Sequence, residues 1–143
     1  MKKWVIYIFI LMSVTAIGVY VAYRLYNKPH PDYAGAEAEF RLSVMDLYQA
    51  FIKDGDAAGR QYNGKVIAVN GPVTRVEEAD TLVIVVFALT SGDFGEEGVR
   101  CTMLPTLAED ARKLKPDGEI VLKGVCNGFT GSDVILEKCM IIQ

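Results

Sequence analysis

Three cysteines, one histidine and two pairs of adjacent glutamates are the residues with which this chain of 143 residues could do chemistry. Cys101, Cys126 and Cys139 lack the C-x-x-C spacing of redox and zinc motifs. His30 lies in "NKPHPDYAG", among two prolines and a glycine, where a solvated loop residue is expected rather than a metal ligand or general base. Glu77 and Glu78, like Glu96 and Glu97, are neighbours in sequence. In an extended chain such neighbours point to opposite faces, so they read as solvated turn residues and not as a catalytic carboxylate pair. Neither a Ser/His/Asp arrangement nor a phosphate-loop signature is present. The expectation is a protein without catalytic residues, without a metal and without a cofactor. Aromatic and cationic side chains remain, and what they can do depends on the elements that carry them.

The first of those elements is apolar. Residues 4–23 carry no charge, with Lys2 and Lys3 in a basic tip before them and Arg24 after. Twenty residues at about 1.5 Å each cross a hydrocarbon core of about 30 Å. Trp4, Tyr7, Tyr20, Tyr23 and Tyr26 lie towards the two ends, where amphipathic rings favour the interface. A cleaved signal peptide has a shorter apolar core and a small-residue cleavage site, whereas "VYVAYRLY" is bulky. The reading is an uncleaved transmembrane helix over 4–23, with the bilayer as a partner. The short basic tip favours an amino terminus inside and a domain outside the cytoplasm.

Residues 24–36 read as a linker, and 37–143 as one domain. Phe40, Val44, Leu47, Tyr48 and Phe51 recur at spacings of three and four, which predicts a helix over 37–53. The two glycines of "KDGDAAGRQY" end that pattern. A barrel is expected over 62–143. In "GKVIAVNGPVTRV" the aliphatic residues alternate, and Gly71 with Pro72 predicts a bend in one long first strand. "EEAD" reads as a turn, "TLVIVVFAL" as a second strand, "SGDFGEEG" as a loop and "VRCTML" as a third strand. "PTLAEDARKLKPDG" predicts a short helix, "EIVLKGVC" a fourth strand, "NGFTGS" a turn and "DVILEKCMII" a fifth. In that last strand Glu137 and Lys138 fall on opposite sides, so no face is clean and its register is open.

Three strands, a short helix and two strands is the order of a five-stranded OB-fold, a Greek-key barrel. The expected fold class is therefore mainly β, with one helix before the first strand and one between the third and fourth. Where such a barrel closes, its third and fifth strands meet, which makes Cys101 and Cys139 a candidate disulfide in an oxidising compartment. A hairpin centred near Thr130 sets Cys126 opposite about Val134, away from Cys139. The alternative is that all three cysteines are small buried hydrophobes.

The succession "DLYQAF", "YNGKVIAVNGPV", "VRCTML", "LKGVCNGF" and "VILEKCMI" resembles the tRNA-anti-like family of bacterial OB-fold proteins. The resemblance covers about residue 37 to the carboxyl terminus and rests on the order of elements. It implies a small exported or membrane-anchored protein, here at a bacterial inner membrane, and implies little about activity.

OB-folds bind ligands on the face of the second and third strands and in the loops joining strands one to two and four to five. Arg75, Phe87, Phe94, Arg100 and Phe129 are the candidate ligand-binding residues on or beside those elements, Arg75 in the first strand and Phe94 in the loop before the third. Aromatic rings can stack on bases, and cations can neutralise phosphate. Charge argues against nucleic acid, however. The first 28 residues hold Lys2, Lys3, Arg24 and Lys28 and no acid, which leaves 11 of 15 basic residues against all 18 acidic ones. The remainder carries −7, against −3 for the whole chain. Lys65, Lys123, Arg75 and Arg100 are the expected strand-borne cations, and they are scattered. The leading expectation is a membrane-anchored, non-catalytic binding or interaction module with a protein, glycan or small-molecule ligand. A single-stranded nucleic-acid binder is the alternative.

Overall fold

The computed structural model describes residues 1–27, 33–93 and 95–142, so His30 and Phe94 lie outside the described residues. The chain divides into two compact units, Met1–Pro31 and Asp32–Gln143.

The first unit contains one helix, α1 (Lys2–Tyr26). Its 25 residues have a mean hydropathy of 2.4 over the most apolar window, long and apolar enough to cross a membrane. Ser13 donates its hydroxyl to the carbonyl of Phe9 at 2.8 Å, and Thr15 donates to Met12 at 2.9 Å. The polar side chains in the middle of the helix are thus satisfied by the helix itself.

The second unit begins differently from the expectation. Phe40–Ser43 is a strand, β1, paired in parallel with the strand that follows the helices. Ser43 then caps α2 (Val44–Lys53), accepting from the Asp46 amide at 3.0 Å. Asp54 caps a second helix, α3 (Gly55–Tyr62), accepting from the Ala57 amide at 2.9 Å. The helix predicted over 37–53 is therefore a strand and a shorter helix. The segment read as a break is itself helical, because a cap at Asp54 and the burial of Ala58 and Tyr62 outweigh two glycines.

The barrel region forms β2 (Val66–Pro72), β3 (Arg75–Ala79), β4 (Leu82–Gly92) and β5 (Gly95–Met103). A 3₁₀ turn at Pro105–Leu107 leads into α4 (Ala108–Arg112), and β6 (Glu119–Phe129) and β7 (Asp133–Ile142) complete the chain. The fold is mainly β, as expected. The five-stranded closed barrel is corrected: the sheet is open, with seven strands in the order β1-β2-β6-β7-β5-β4-β3. Two strands are added for two reasons. One is β1. The other is that the expected long first strand divides at Pro72, which has no amide to donate. β2 pairs with β6, whereas β3 pairs with β4 at the far end of the sheet. Only Val73 and Thr74 join them. Val73 donates to Gly118 at 3.0 Å and Thr74 to Val86 at 2.9 Å, so the connection bridges both partners and the sheet must curl.

Gly71 has a further reason to be glycine. A Cβ there would lie 2.5 Å from Cγ2 of Val44, the first residue of α2. The helix thus rests directly on the strand at this point. Inside the curl, Leu47 and Phe51 of α2 meet Ile67, Val69, Val85, Phe87, Val99, Leu122, Val134 and Leu136 in one core. Cys101, Cys126 and Cys139 are buried in it as free thiols.

The open register of the last strand is explained by a bulge. Leu136 faces Cys101 and Cys139 faces Met103, so three steps on β7 oppose two on β5. Lys138 has a φ of 53° where it and Glu137 together oppose Thr102, which lets Leu136 and Cys139 both point inward.

Candidate functional site

The outward face of β3, β4, β5 and β7 corresponds to the surface on which ligand residues were expected. Cross-strand register sets its layout. Arg75 aligns with Val86, Val86 with Arg100, and Arg100 with Ile135. The neighbouring rows are Glu77, Ile84 and Thr102 on one side, and Ala88, Gly98 and Asp133 on the other. Val86 is buried although it lies outside the core cluster, as expected where long side chains cover a neighbour.

Arg75 and Arg100 are brought together here, and both are already held. Arg75 pairs with Glu77 at 2.8 Å and also with Glu96. Arg100 pairs with the other oxygen of Glu77 at 2.7 Å and with Asp133 at 3.2 Å. Asp133 accepts in addition from the Gly98 amide at 3.0 Å. Five charges therefore run Glu96–Arg75–Glu77–Arg100–Asp133, two guanidiniums against three carboxylates. Bonds donated to Glu96 and then to Glu77 push the Arg75 guanidinium further up. Partial burial alone would raise the Glu77 carboxyl, but the bonds from Arg75 and Arg100 and their charges outweigh it and hold it below its usual range.

The acids are the part that sequence reasoning missed. Glu77 and Glu78 lie in β3 rather than in a turn, because pairing with β4 extends the strand to Ala79. Alternation then sends Glu77 to the arginine face and Glu78 to Arg112 of α4, at 3.1 Å. The loop expected at "SGDFGEEG" is likewise mostly strand, since β4 and β5 continue as a hairpin. Its Glu97 accepts from the Tyr48 hydroxyl at 2.9 Å, joining α2 to β5. Burial first, and then this bond, push the Tyr48 phenol up to about 12.

The remaining candidates do not join this face. Phe87 is fully buried and offers no surface to a ligand, because alternation along β4 turns it to the core with Val83 and Val85. Phe129 is half-buried at the end of β6, stacked on Phe51 with centroids 5.8 Å apart and edge-on to Tyr48 at 6.4 Å. Its ring anchors α2. Lys65 pairs with Glu39 at 3.0 Å, and Lys123 donates to the carbonyls of Ala34 and Ala36 at 2.9 and 2.8 Å. Arg75 and Arg100 are not the only strand arginines: Arg41 sits on β1, hidden from the sequence reading by the helix predicted there.

Cys101 and Cys139 are neighbours in the core, and burial followed by a hydrogen bond between them raises the Cys139 thiol. Burial also raises Cys126. Thiols protonated at neutral pH are poor nucleophiles. Among the described residues, no group of three or more His, Cys, Asp or Glu side chains is placed to hold a metal ion.

A family model described as tRNA_anti-like matches residues 1–141. No curated relative matches the sequence. Among solved structures, the chain is similar to a lipoprotein from Klebsiella pneumoniae subsp. pneumoniae MGH 78578, provisionally named as nucleic acid-binding. The TM-score is 0.58 at 17% identity, over 81% of this chain and 100% of that one. It also matches an aspartyl tRNA synthetase from Entamoeba histolytica with a TM-score of 0.45 and 10% identity, over 76% of this chain and 26% of that one. The first likeness shows an OB-like fold; the second is too weak to carry an argument.

Proposed function

The chain belongs to the tRNA_anti-like family, and from that membership we propose that it is a membrane-anchored, non-catalytic OB-fold module. Its ligand on this reading is a protein, a glycan or a small molecule, and not single-stranded nucleic acid. The observation that carries the reading is the state of the two arginines. Arg75 and Arg100 occupy the face where an OB-fold would meet phosphate, and each is bound by two carboxylates. Part-exposed ion pairs are individually weak, about 0–1 kcal/mol, so an arginine could be pulled away. The acids would stay behind, however, and three carboxylates beside the incoming backbone would repel it. Asp80 at the following turn extends the same negative field. The raised thiols of Cys126 and Cys139 support a non-catalytic role. Anchoring is supported by α1, whose apolar length suits a bilayer.

The Klebsiella protein's name is the reason to test nucleic acid directly, since at 17% identity it informs the fold alone. The full chain in detergent would be titrated against a labelled mixed-sequence oligonucleotide by fluorescence anisotropy, at about 50 and 200 mM salt. No saturable binding at micromolar protein is expected. Micromolar binding that weakens steeply between the two salt concentrations would overturn the proposal, because counterion release has that signature.

A further inference from the structure

The outward face at the other end of the sheet is built in the opposite way. Register sets Arg41 beside Ala68 and Ser43 beside Asn70. Asn70 aligns with Val121, and Val121 with Ile142. The next row outward on β2 and β6 is Pro72 with Glu119. Together these strands make a groove of about 490 Å³ whose lining includes Arg41, Ala68, Asn70, Val121, Ile142 and Glu119. Its middle is apolar apart from one amide. Its two ends carry opposite charges, separated along β2 by four residues, or about 13 Å. Among the described residues, neither Arg41 nor Glu119 has a side-chain hydrogen bond or an ion pair, in contrast to the arginines of the first face.

We propose that a second copy of this chain covers this groove, face to face about a two-fold axis that passes near Asn70. Such an axis exchanges the two ends of the groove. It brings Arg41 of each copy to Glu119 of the other, because Asn70 lies midway between them, and sets the apolar middle of each groove over the other. Isologous contacts require this self-complementarity: what one residue meets on the partner must meet it in return. Asn70 satisfies the same condition on the axis, because a carboxamide is both donor and acceptor and can bond to its own copy. A peptide or lipid of one charge would complement only one end of the groove. The proposal is independent of the ligand reading above, since it uses the opposite end of the sheet.

The test is the association state of the full chain in detergent, measured by sedimentation, with charge reversals at the two ends. The wild type is expected to be a dimer. Arg41→Glu and Glu119→Arg are each expected to weaken association at least about tenfold, because each sets like charges together twice. The double variant, which restores opposite charges with the sign exchanged, is expected to recover it. Both positions are exposed, and far-UV circular dichroism verifies that each variant stays folded. A monomeric wild type overturns the proposal. So does association that ignores the single reversals, which is how pairing through α1 would behave, and so does a double variant no better than the singles.

Discussion

Glu77 receives both arginines of the first face, one on each oxygen, and this makes it the residue whose loss the sheet should notice most there. Its folded pKa lies below the unfolded value, so its contribution is present above the ordinary carboxylate range of about 4 and is lost as pH falls through the folded value. Glu77→Gln is expected to destabilise by up to about 1 kcal/mol at neutral pH, the side chain being about a third exposed. The difference should shrink as pH falls through that lowered folded value, where the wild-type carboxyl is protonated as well. Urea melts across pH measure this; a difference independent of pH would assign Glu77 to packing instead. Arg75 and Arg100 were legible in the sequence as strand cations. Their carboxylates were not, because the pairs with Glu96 and Glu77 span 21 and 23 residues and depend on register. Phe87 was misread for a related reason. The run "TLVIVVFAL" is apolar throughout, and only the observed pairing shows which alternate residues turn inward.

The strands themselves were easier to read than their partners. All the expected segments of strand appear, and the last matches residue for residue at Asp133–Ile142. What composition did not reveal is that "GKVIAVNGPVTRV" supplies two strands at distant positions in the sheet. Gly71 was read as a licence for curvature, whereas its surroundings add a packing reason. Gly71→Ala should place a methyl against Val44 and destabilise by about 1–3 kcal/mol, as overpacking commonly does. Val44→Ala in the same chain should recover part of that loss. Denaturant midpoints of the four combinations check it, and an equal loss in both backgrounds would count against the contact. α3 escaped notice because its glycines suggested a break, and short helices take their stability mainly from the face they bury. β1 escaped because Phe40 fits a helical spacing as well as a strand, and only pairing with β2 decides between them.

For the molecule as a whole, the proposed anchor makes two observable demands. The chain should sediment with membranes and resist extraction by alkaline carbonate, and alkaline phosphatase fused after residue 143 should be active in cells. Release by carbonate would oppose an integral helix; an inactive fusion would reverse the orientation. Length and hydropathy made α1 plain in the sequence, since an apolar run needs no tertiary context to be recognised. The segment that follows carries a consequence of its own. Lys123 grips the carbonyls of Ala34 and Ala36, Lys138 lies over the Tyr33 ring at 4.6 Å, and the Glu39 amide is already bonded into the sheet at Val66. In an anchored protein, tension arriving along the chain meets those two lysines before it meets the core. Letting go of Tyr33–Ala38 would release six residues, about 20 Å of slack, while β1 and everything beyond it stays folded. The tether would then have two working lengths, and the contacts of that segment, the two lysines among them, would set the force at which it changes from one to the other.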